Sequence, residues 1–381
     1  MSLAQLSELS SRFNINRHIV ALAVLTLTGG VLAFVIGWKP YGAWDAHDPH
    51  VYYENARAIL SGDYPNTERL STQQDPPLRY LPLVLIYLVV DSTTALGSRM
   101  VSLHVAWFAT VFVPLSIYSL ARQLFDRRRG LVAMGAALGL HALQAAYNGY
   151  YGGQFQDLLV LPFCYVGLAV LYRPRRFGVI VAGCLVLAAL TQVMAAAFTA
   201  GIVAMALLSW GSFRALGWTA GISILGASPL LVLPRFIKYL YLWTFDAIIP
   251  FEALNAYYTG EGLLRSFLAP YTHEHILSAL TEPIFWVLML SSLTLVAGVR
   301  YRAPSFDART IIESAFLFVV IVYPLWKLGT WGYVHRVFET YFTPLAVTLL
   351  AAWCSYYRSV LLAGLRERWA ARGVGRRGGA D

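Results

Sequence analysis

Apolar runs of roughly 17 to 25 residues recur along nearly the whole chain, which is the length that an α-helix needs to cross a bilayer. The 381 residues are 58% hydrophobic and only 13% charged, whereas a soluble domain usually carries about a quarter charged residues. The first run, 18–37, has no small-residue cleavage site and is followed by further runs, so it is predicted to be a retained helix rather than a signal peptide. The sequence therefore predicts an all-α integral membrane protein.

Basic residues lie mostly in short clusters between the apolar runs. Loops on the cytoplasmic side of a membrane protein carry such an excess of Lys and Arg. The net charge of +9 is thus assigned to membrane topology, and nucleic acid is not expected as a partner. The main clusters are Arg12 and Arg17, Arg127–Arg129, Arg173–Arg176, Arg300–Arg309 and Arg358–Arg377.

Ten crossings with both termini inside place every basic cluster on the cytoplasmic side. The segment Leu81–Val90 is too short to cross and is predicted to be an interfacial or re-entrant helix. We expect a single transmembrane domain over 1–381, with external loops at 39–97 and 234–275 and a basic cytoplasmic tail at 358–381. The predicted spans are 18–38, 98–120, 130–148, 157–172, 177–193, 194–212, 215–233, 276–299, 308–328 and 337–357.

Most acidic residues fall in or beside the predicted external regions, and the first external loop contains a series of short motifs. These are Asp48-Pro-His-Val-Tyr-Tyr, Asn55-Ala-Arg, Leu60-Ser-Gly-Asp-Tyr-Pro and Arg79-Tyr-Leu-Pro-Leu. The series resembles the first external loop of the C-superfamily integral membrane glycosyltransferases that use polyprenyl-phosphate sugars. The polyprenyl-phosphate-mannose-dependent mannosyltransferases are the most similar, and the catalytic subunit of the first GPI mannosyltransferase is more distantly similar. The corner Gly62-Asp63-Tyr64-Pro65 departs from the family pattern, because Tyr and Pro are exchanged.

Two shorter matches, "NGYYGGQ" at Asn148–Gln154 and His335-Arg336 before the last span, extend this resemblance. It implies the family's fold, in which about ten transmembrane helices accompany a long first external loop that carries interfacial helices. It also implies the reaction class. The specific similarity covers about 50 residues near the N-terminus, so neither the sugar nor the acceptor carries over.

The expected chemistry needs one carboxylate. A polyprenyl-phosphate sugar already has a good leaving group, so the enzyme requires a base that takes the proton from the attacking acceptor hydroxyl, as in inverting glycosidases. Asp48 matches the Asp of the family motif and is the expected base; capping of the following helix is its alternative role, because it precedes Pro49. Asp45 is a second catalytic candidate, with a solvated loop charge as the alternative.

Metal and cofactor are not expected. His47 and His50 lie near the two aspartates, but their spacing matches no specific metal motif. Cys164, Cys184 and Cys354 all lie in apolar segments without CxxC spacing, so they are predicted to be buried small hydrophobic residues.

The donor's phosphate requires cations, and an arginine suits phosphate because its donors form a fork. Arg336, beside His335 at the mouth of the last span, is the first candidate; an interfacial anchor is the alternative. Glu313, within an apolar span, is expected to have a buried polar partner or to lie near the cytoplasmic end of the cavity. The other predicted substrate-binding residues are Tyr52, Arg79, Asn148, Gln154, Arg235 and Lys238; for Arg235 and Lys238 an aromatic belt is the alternative.

The sequence thus predicts a multi-pass cell-membrane enzyme that transfers mannose on the extracytoplasmic face. Its partners would be a polyprenyl-phosphate sugar donor, a glycan or glycolipid acceptor and membrane lipids. Arabinofuranose, glucose and galactose remain open as the sugar. The alternatives are a flippase for a lipid-linked sugar, which would favour charges near the bilayer midplane and broken helices, and a non-catalytic subunit or glycan ligase.

Overall fold

In the computed structural model, all regular secondary structure of the described residues is helical. These residues are 3–38, 56–58, 60–61, 80–90, 95–148, 157–171, 174–227, 276–277, 280–328 and 332–375. The longer helices are α1 (Leu3–Gly37), α2 (Leu81–Val89), α3 (Ala95–Trp107), a π-helical turn (Phe108–Phe112), α4 (Val113–Leu124), α5 (Arg127–Asn148), α6 (Asp157–Leu171), α7 (Pro174–Thr191), α8 (Val193–Ser209), α9 (213–227), α10 (Pro283–Tyr301), α11 (Phe306–Leu328) and α12 (Gly332–Gly375).

Each of the ten predicted spans overlaps helical structure. Three of these spans correspond to helices with shorter apolar segments, Leu159–Leu171, Gly178–Thr191 and Ala195–Ser209. The chain is therefore an all-α membrane protein. Among the described residues, four stretches are both long and apolar enough to cross a membrane: Arg17–Gly37, Pro283–Tyr301, Phe306–Leu325 and Phe338–Leu365.

Local chemistry sets several helix boundaries. Asp126 caps α5, because its Oδ1 accepts from two backbone N–H groups of the first turn at 2.8 and 3.0 Å. Gln192 separates α7 from α8, since its backbone is extended and its Oε1 accepts from the N–H of Ala195 at 2.9 Å. Gly211 follows α8 with φ of 66°, the left-handed conformation in which glycine commonly ends a helix.

Two helix boundaries differ clearly from the predicted spans. α10 begins at Pro283 rather than at 276, because proline is favoured at the first helical position, where its missing N–H is not needed. α12 continues to Gly375 instead of ending at 357, because 358–375 is rich in Arg, Leu and Ala, which favour helix.

The cysteines are only partly as predicted. All three are free, but Cys164 alone is buried, Cys184 is half-buried and Cys354 is exposed. Cys354 lies on the exposed side of α12, whereas Ala352, two residues earlier, is fully buried.

The short helix α2 has nine residues and is therefore about 13 Å long, which is less than half the hydrocarbon thickness of about 30 Å. One side of it is buried with Tyr80, whereas Leu88 and Val89 are 65% and 84% exposed. The length of α2 agrees with the expectation that this segment does not cross the bilayer by itself. Its position at the membrane interface stays a prediction.

Contacts between helices bring many basic residues to one end of the protein. Arg129, in the first turn of α5, donates to the hydroxyl of Ser359 in α12. Trp353 Nε1 of α12 donates to the carbonyl oxygen of Arg302 at 3.1 Å. This contact brings the turn between α10 and α11 to the same end of the protein. The ring of His18 in α1 lies 2.7 Å from a tyrosine hydroxyl of α4. We call the end that contains His18, Arg129 and Arg302 the basic end. The other end of the same helices is called the opposite end.

Candidate functional site

A buried lysine lies between two glutamates at the opposite end of α10, α11 and α12. Lys327 Nζ donates to Glu282 Oε2 at 2.6 Å and lies 2.8 Å from Glu339 Oε1. The side chains of Lys327 and Glu339 are 3% and 5% exposed, whereas that of Glu282 is 44% exposed. Tyr323 donates its hydroxyl to the same Glu339 Oε1 at 2.6 Å. We call these four residues the ionic cluster.

The order of the helices explains why these side chains meet. A turn at 302–305 joins α10 to α11, so that the start of α10 lies beside the end of α11. Glu282 immediately precedes α10, and Lys327 is in the last turn of α11. A carboxylate at a helix N-terminus and a cation at a C-terminus both interact favourably with the helix dipole.

Aromatic rings separate the ionic cluster from the core. The ring of Tyr323 stacks on that of Phe338 at 5.3 Å between centroids and also contacts Phe285 at 5.6 Å. Phe338 in turn packs against Phe342 and Phe198, at 4.5 and 5.2 Å. The cluster therefore has an apolar floor, and Glu282 is its accessible side.

Hydrogen bonds from α6 and α8 hold α12 in place beside the ionic cluster. Thr199 of α8 lies 2.8 Å from the hydroxyl of Tyr341, and Tyr165 of α6 donates to the backbone carbonyl of Tyr341. All three residues are fully buried. Glu339 therefore lies two residues before a tyrosine that two neighbouring helices hold, one through its backbone and one through its hydroxyl.

The ionic cluster is located near one end of the helices and not at their middle. Glu339 lies seven residues after the start of α12, a rise of about 10 Å, and Glu282 and Lys327 are at helix ends. Burying charges in or near a membrane is costly, and a buried ion pair contributes little stability compared with apolar residues. Such a cluster is therefore a candidate functional site. Chemically, Glu282 offers carboxylate oxygens to a hydroxyl donor, while Lys327, itself paired with Glu339, holds it in position.

None of the predicted site residues has a described side chain. Asn148, His335 and Arg336 have described backbone only. Asn148 ends α5 and the other two are in the first turns of α12, so these positions belong to the end that holds the ionic cluster. The remaining seven lie outside the described residues: Asp45, Asp48, Tyr52, Arg79, Gln154, Arg235 and Lys238.

The pair His335-Arg336 is the predicted site element nearest the ionic cluster along the chain. It precedes Glu339 by four and three residues in α12, which corresponds to an axial rise of about 5 to 6 Å. The predicted phosphate-binding residue and the buried glutamate are thus within one helical turn of each other in the backbone.

The ionic cluster was not predicted from the sequence, although signals for it were present. Glu339 lies inside the predicted span 337–357, and an ionisable residue within an apolar span is a functional candidate by default. Lys327 and Glu282 gave the same signal, because they lie inside the predicted spans 308–328 and 276–299.

Glu313, by contrast, has the polar partners that the sequence led us to expect. Its Oε1 accepts from Arg300 Nε at 2.9 Å and from Arg309 Nε at 3.0 Å, at the basic end. The two arginines are partly exposed rather than buried, with exposed side-chain fractions of 58% and 42%.

No protein family, curated protein or solved structure matches this chain.

Proposed function

We propose that this chain is a C-superfamily integral membrane glycosyltransferase with ten crossings of the cell membrane. It would transfer a sugar, mannose being the first expectation, from a polyprenyl-phosphate donor to a hydroxyl of a glycan or glycolipid. The reaction would take place at the opposite end, which the positive-inside rule assigns to the extracytoplasmic face. The observation that carries the proposal is the buried ionic cluster, which lies at this end and within one turn of His335-Arg336.

The depth of the ionic cluster favours an enzyme over a flippase. A polyprenyl-phosphate donor carries its phosphate and sugar at the membrane surface, so its reaction site belongs near helix ends. Transporters of charged or polar substrates place their sites near the bilayer midplane, between broken helices. Two residues of the cluster lie at the ends of α10 and α11, which suits a reaction at the interface.

In the proposed reaction the acceptor oxygen attacks the anomeric carbon as the bond between that carbon and the phosphate oxygen breaks. The bonding electron pair leaves with the polyprenyl phosphate, and the hydroxyl proton passes to the carboxylate of Asp48. A single displacement of this kind inverts the anomeric configuration. Arg336 would hold the donor's phosphate, and Glu282 would orient a sugar hydroxyl.

A transfer assay tests this function. Purified protein would be incubated with polyprenyl-phosphate [¹⁴C]mannose and membrane lipids, with the corresponding arabinofuranose, glucose and galactose donors in parallel. We expect label from one donor to appear in a product that no longer contains the polyprenyl phosphate. Absence of transfer from all four donors would contradict the proposed function.

The proposed topology predicts which end of the protein faces outward. Single cysteines at Ser61 and Arg128, both exposed in the structure, report on the first loop and on the basic end respectively. In a background without the three native cysteines, a membrane-impermeant maleimide added to intact cells should modify Ser61→Cys and not Arg128→Cys. The reverse labelling pattern would overturn the topology, and labelling of both after permeabilisation is the control.

Arg336 provides a test of the donor site. Replacing it with lysine keeps the charge but removes the forked geometry that matches a phosphate. We therefore expect Arg336→Lys to raise the donor KM several-fold, with kcat less affected. Arg128→Lys, at the basic end, is the matched control and should leave donor kinetics unchanged. Equal donor kinetics for Arg336→Lys and the wild type would make Arg336 an interfacial anchor.

A further inference from the structure

A cavity of about 340 Å³ lies between α8 and α11 at the basic end. The position of Glu313 on α11 is fourteen residues before Lys327, or about 21 Å along the helix, so this cavity is separate from the ionic cluster. Its lining combines apolar and charged side chains. The apolar residues are Met205, Phe306 and Leu317, and the charged ones are Arg309 and Glu313.

The cavity is lined by one arginine and one glutamate, and a second arginine, Arg300, lies beside it on the same glutamate. Arg300 and Arg309 share one carboxylate oxygen of Glu313, and each uses only its Nε in that contact. An arginine has five N–H donors, so the terminal nitrogens of both guanidinium groups can still bind a ligand. The segment 300–313 as a whole keeps a net charge of +1, because Arg302 and Asp307 offset each other.

Two of the three hydroxyl groups that line the cavity already donate to backbone carbonyl oxygens. Ser209 and Thr310 donate to carbonyl oxygens of their own helices, at 2.8 and 3.0 Å. The guanidinium groups are therefore the main donors at this place, and forked guanidinium donors match the oxygens of a phosphate.

The apolar side of the cavity indicates what carries the phosphate. Phe306 and Met205 are 67% and 43% exposed, and both belong to helices that form apolar segments of this membrane protein. An acyl chain lying against them would bury this surface, which a soluble phosphate ester would leave uncovered. Basic pockets between transmembrane helices are known to suit phospholipid head groups.

We propose that this cavity is a binding site for an anionic phospholipid, with the phosphate on Arg300 and Arg309 and an acyl chain along Met205 and Phe306. The site is independent of the proposed sugar transfer and of which face of the membrane the basic end occupies. The shared chemistry is a phosphate group, which a lipid or a soluble ester could provide.

The test measures lipid binding to the purified full-length protein in a neutral detergent, by native mass spectrometry and by thermal unfolding. The ligands are phosphatidylglycerol, phosphatidylcholine and soluble glycerol 3-phosphate. We expect phosphatidylglycerol to bind at least tenfold more tightly than phosphatidylcholine and to raise the unfolding midpoint, whereas glycerol 3-phosphate should have no effect at millimolar concentration.

A matched pair of variants locates the binding. The triple variant Arg300→Gln/Arg309→Gln/Glu313→Gln removes one net positive charge without leaving the carboxylate unpaired, and should lose the preference for phosphatidylglycerol. Arg128→Gln removes the same net charge from an exposed position at the same end, and should retain the preference for phosphatidylglycerol. Met205→Trp, which fills the cavity and leaves the arginines intact, should weaken phosphatidylglycerol binding at least tenfold, and covers the case in which the triple variant does not fold.

Three results would overturn the proposal. Equal affinity for the two phospholipids would show that the arginines do not select an anionic head group. Unchanged phosphatidylglycerol binding in either cavity variant would place the lipid elsewhere. Equal stabilisation by glycerol 3-phosphate would assign the arginines to a soluble phosphate ester.

Discussion

Replacing Asp48 with asparagine should abolish sugar transfer while expression, folding and donor binding remain normal. Asparagine caps helices about as well as aspartate, so the substitution preserves the alternative structural role of Asp48. It removes only the proton acceptor. A positioned base contributes roughly 10²–10⁴-fold in rate, or about 3 to 5 kcal/mol of barrier, and we expect a loss of this size in kcat.

Asp45→Asn is the matched control for this prediction, because it makes the same change three residues earlier in the same loop. Single-turnover rates and donor affinity would be measured for both variants. If Asp48→Asn keeps more than about a tenth of the wild-type turnover while Asp45→Asn is inactive, Asp45 is the base. Activity in both single variants would exclude the first external loop as the source of the base.

Replacing Lys327 with methionine should strongly destabilise the protein. The change leaves the carboxylate of Glu339, 5% exposed, without its cation. Removing one partner of a buried ion pair typically costs about 3 to 5 kcal/mol. The double variant Lys327→Met/Glu339→Gln removes both charges and keeps an oxygen that can accept from Tyr323, so we expect it to recover most of the lost stability. Thermal unfolding in detergent would measure both.

Arg300→Gln is the control at the basic end. Its partner Glu313 keeps a second arginine, and the side chain of Arg300 is 58% exposed, so the expected cost is below about 1 kcal/mol. An equally small effect for Lys327→Met would contradict the structural importance of the ionic cluster. The double variant also separates stability from function: if it is stable and retains full transfer, the cluster serves folding alone.

The class of fold could be predicted from the sequence because membrane helices are specified by local composition. Apolar length and arginine clusters are properties of contiguous residues, and the helical structure accordingly overlaps all ten predicted segments. The boundaries depended on finer features. The start of α10 at Pro283 follows from a preference for proline at one position, and the length of α12 from helix-favouring residues beyond the apolar run.

The ionic cluster could not be predicted in the same way, because its members are distant in sequence. Glu282 and Lys327 are forty-five residues apart, and they meet only because α10 and α11 form an antiparallel pair. Composition indicates that a charge lies near a span end, but it does not indicate which charges face each other. For Glu313 polar partners were expected and are present, although they are partly exposed rather than buried; one is on its own helix, four residues away, and the other is on the adjacent helix.

The most direct test of the proposed function uses a donor that carries two labels, [¹⁴C]mannose on [³²P]polyprenyl phosphate. The purified protein would be reconstituted into sealed vesicles with acceptor lipids, and the products separated after incubation. The proposed transferase predicts that ¹⁴C moves to the acceptor while ³²P remains on the free polyprenyl phosphate. If the two labels stay on one molecule that changes its side of the membrane, the protein is a flippase and the account is contradicted.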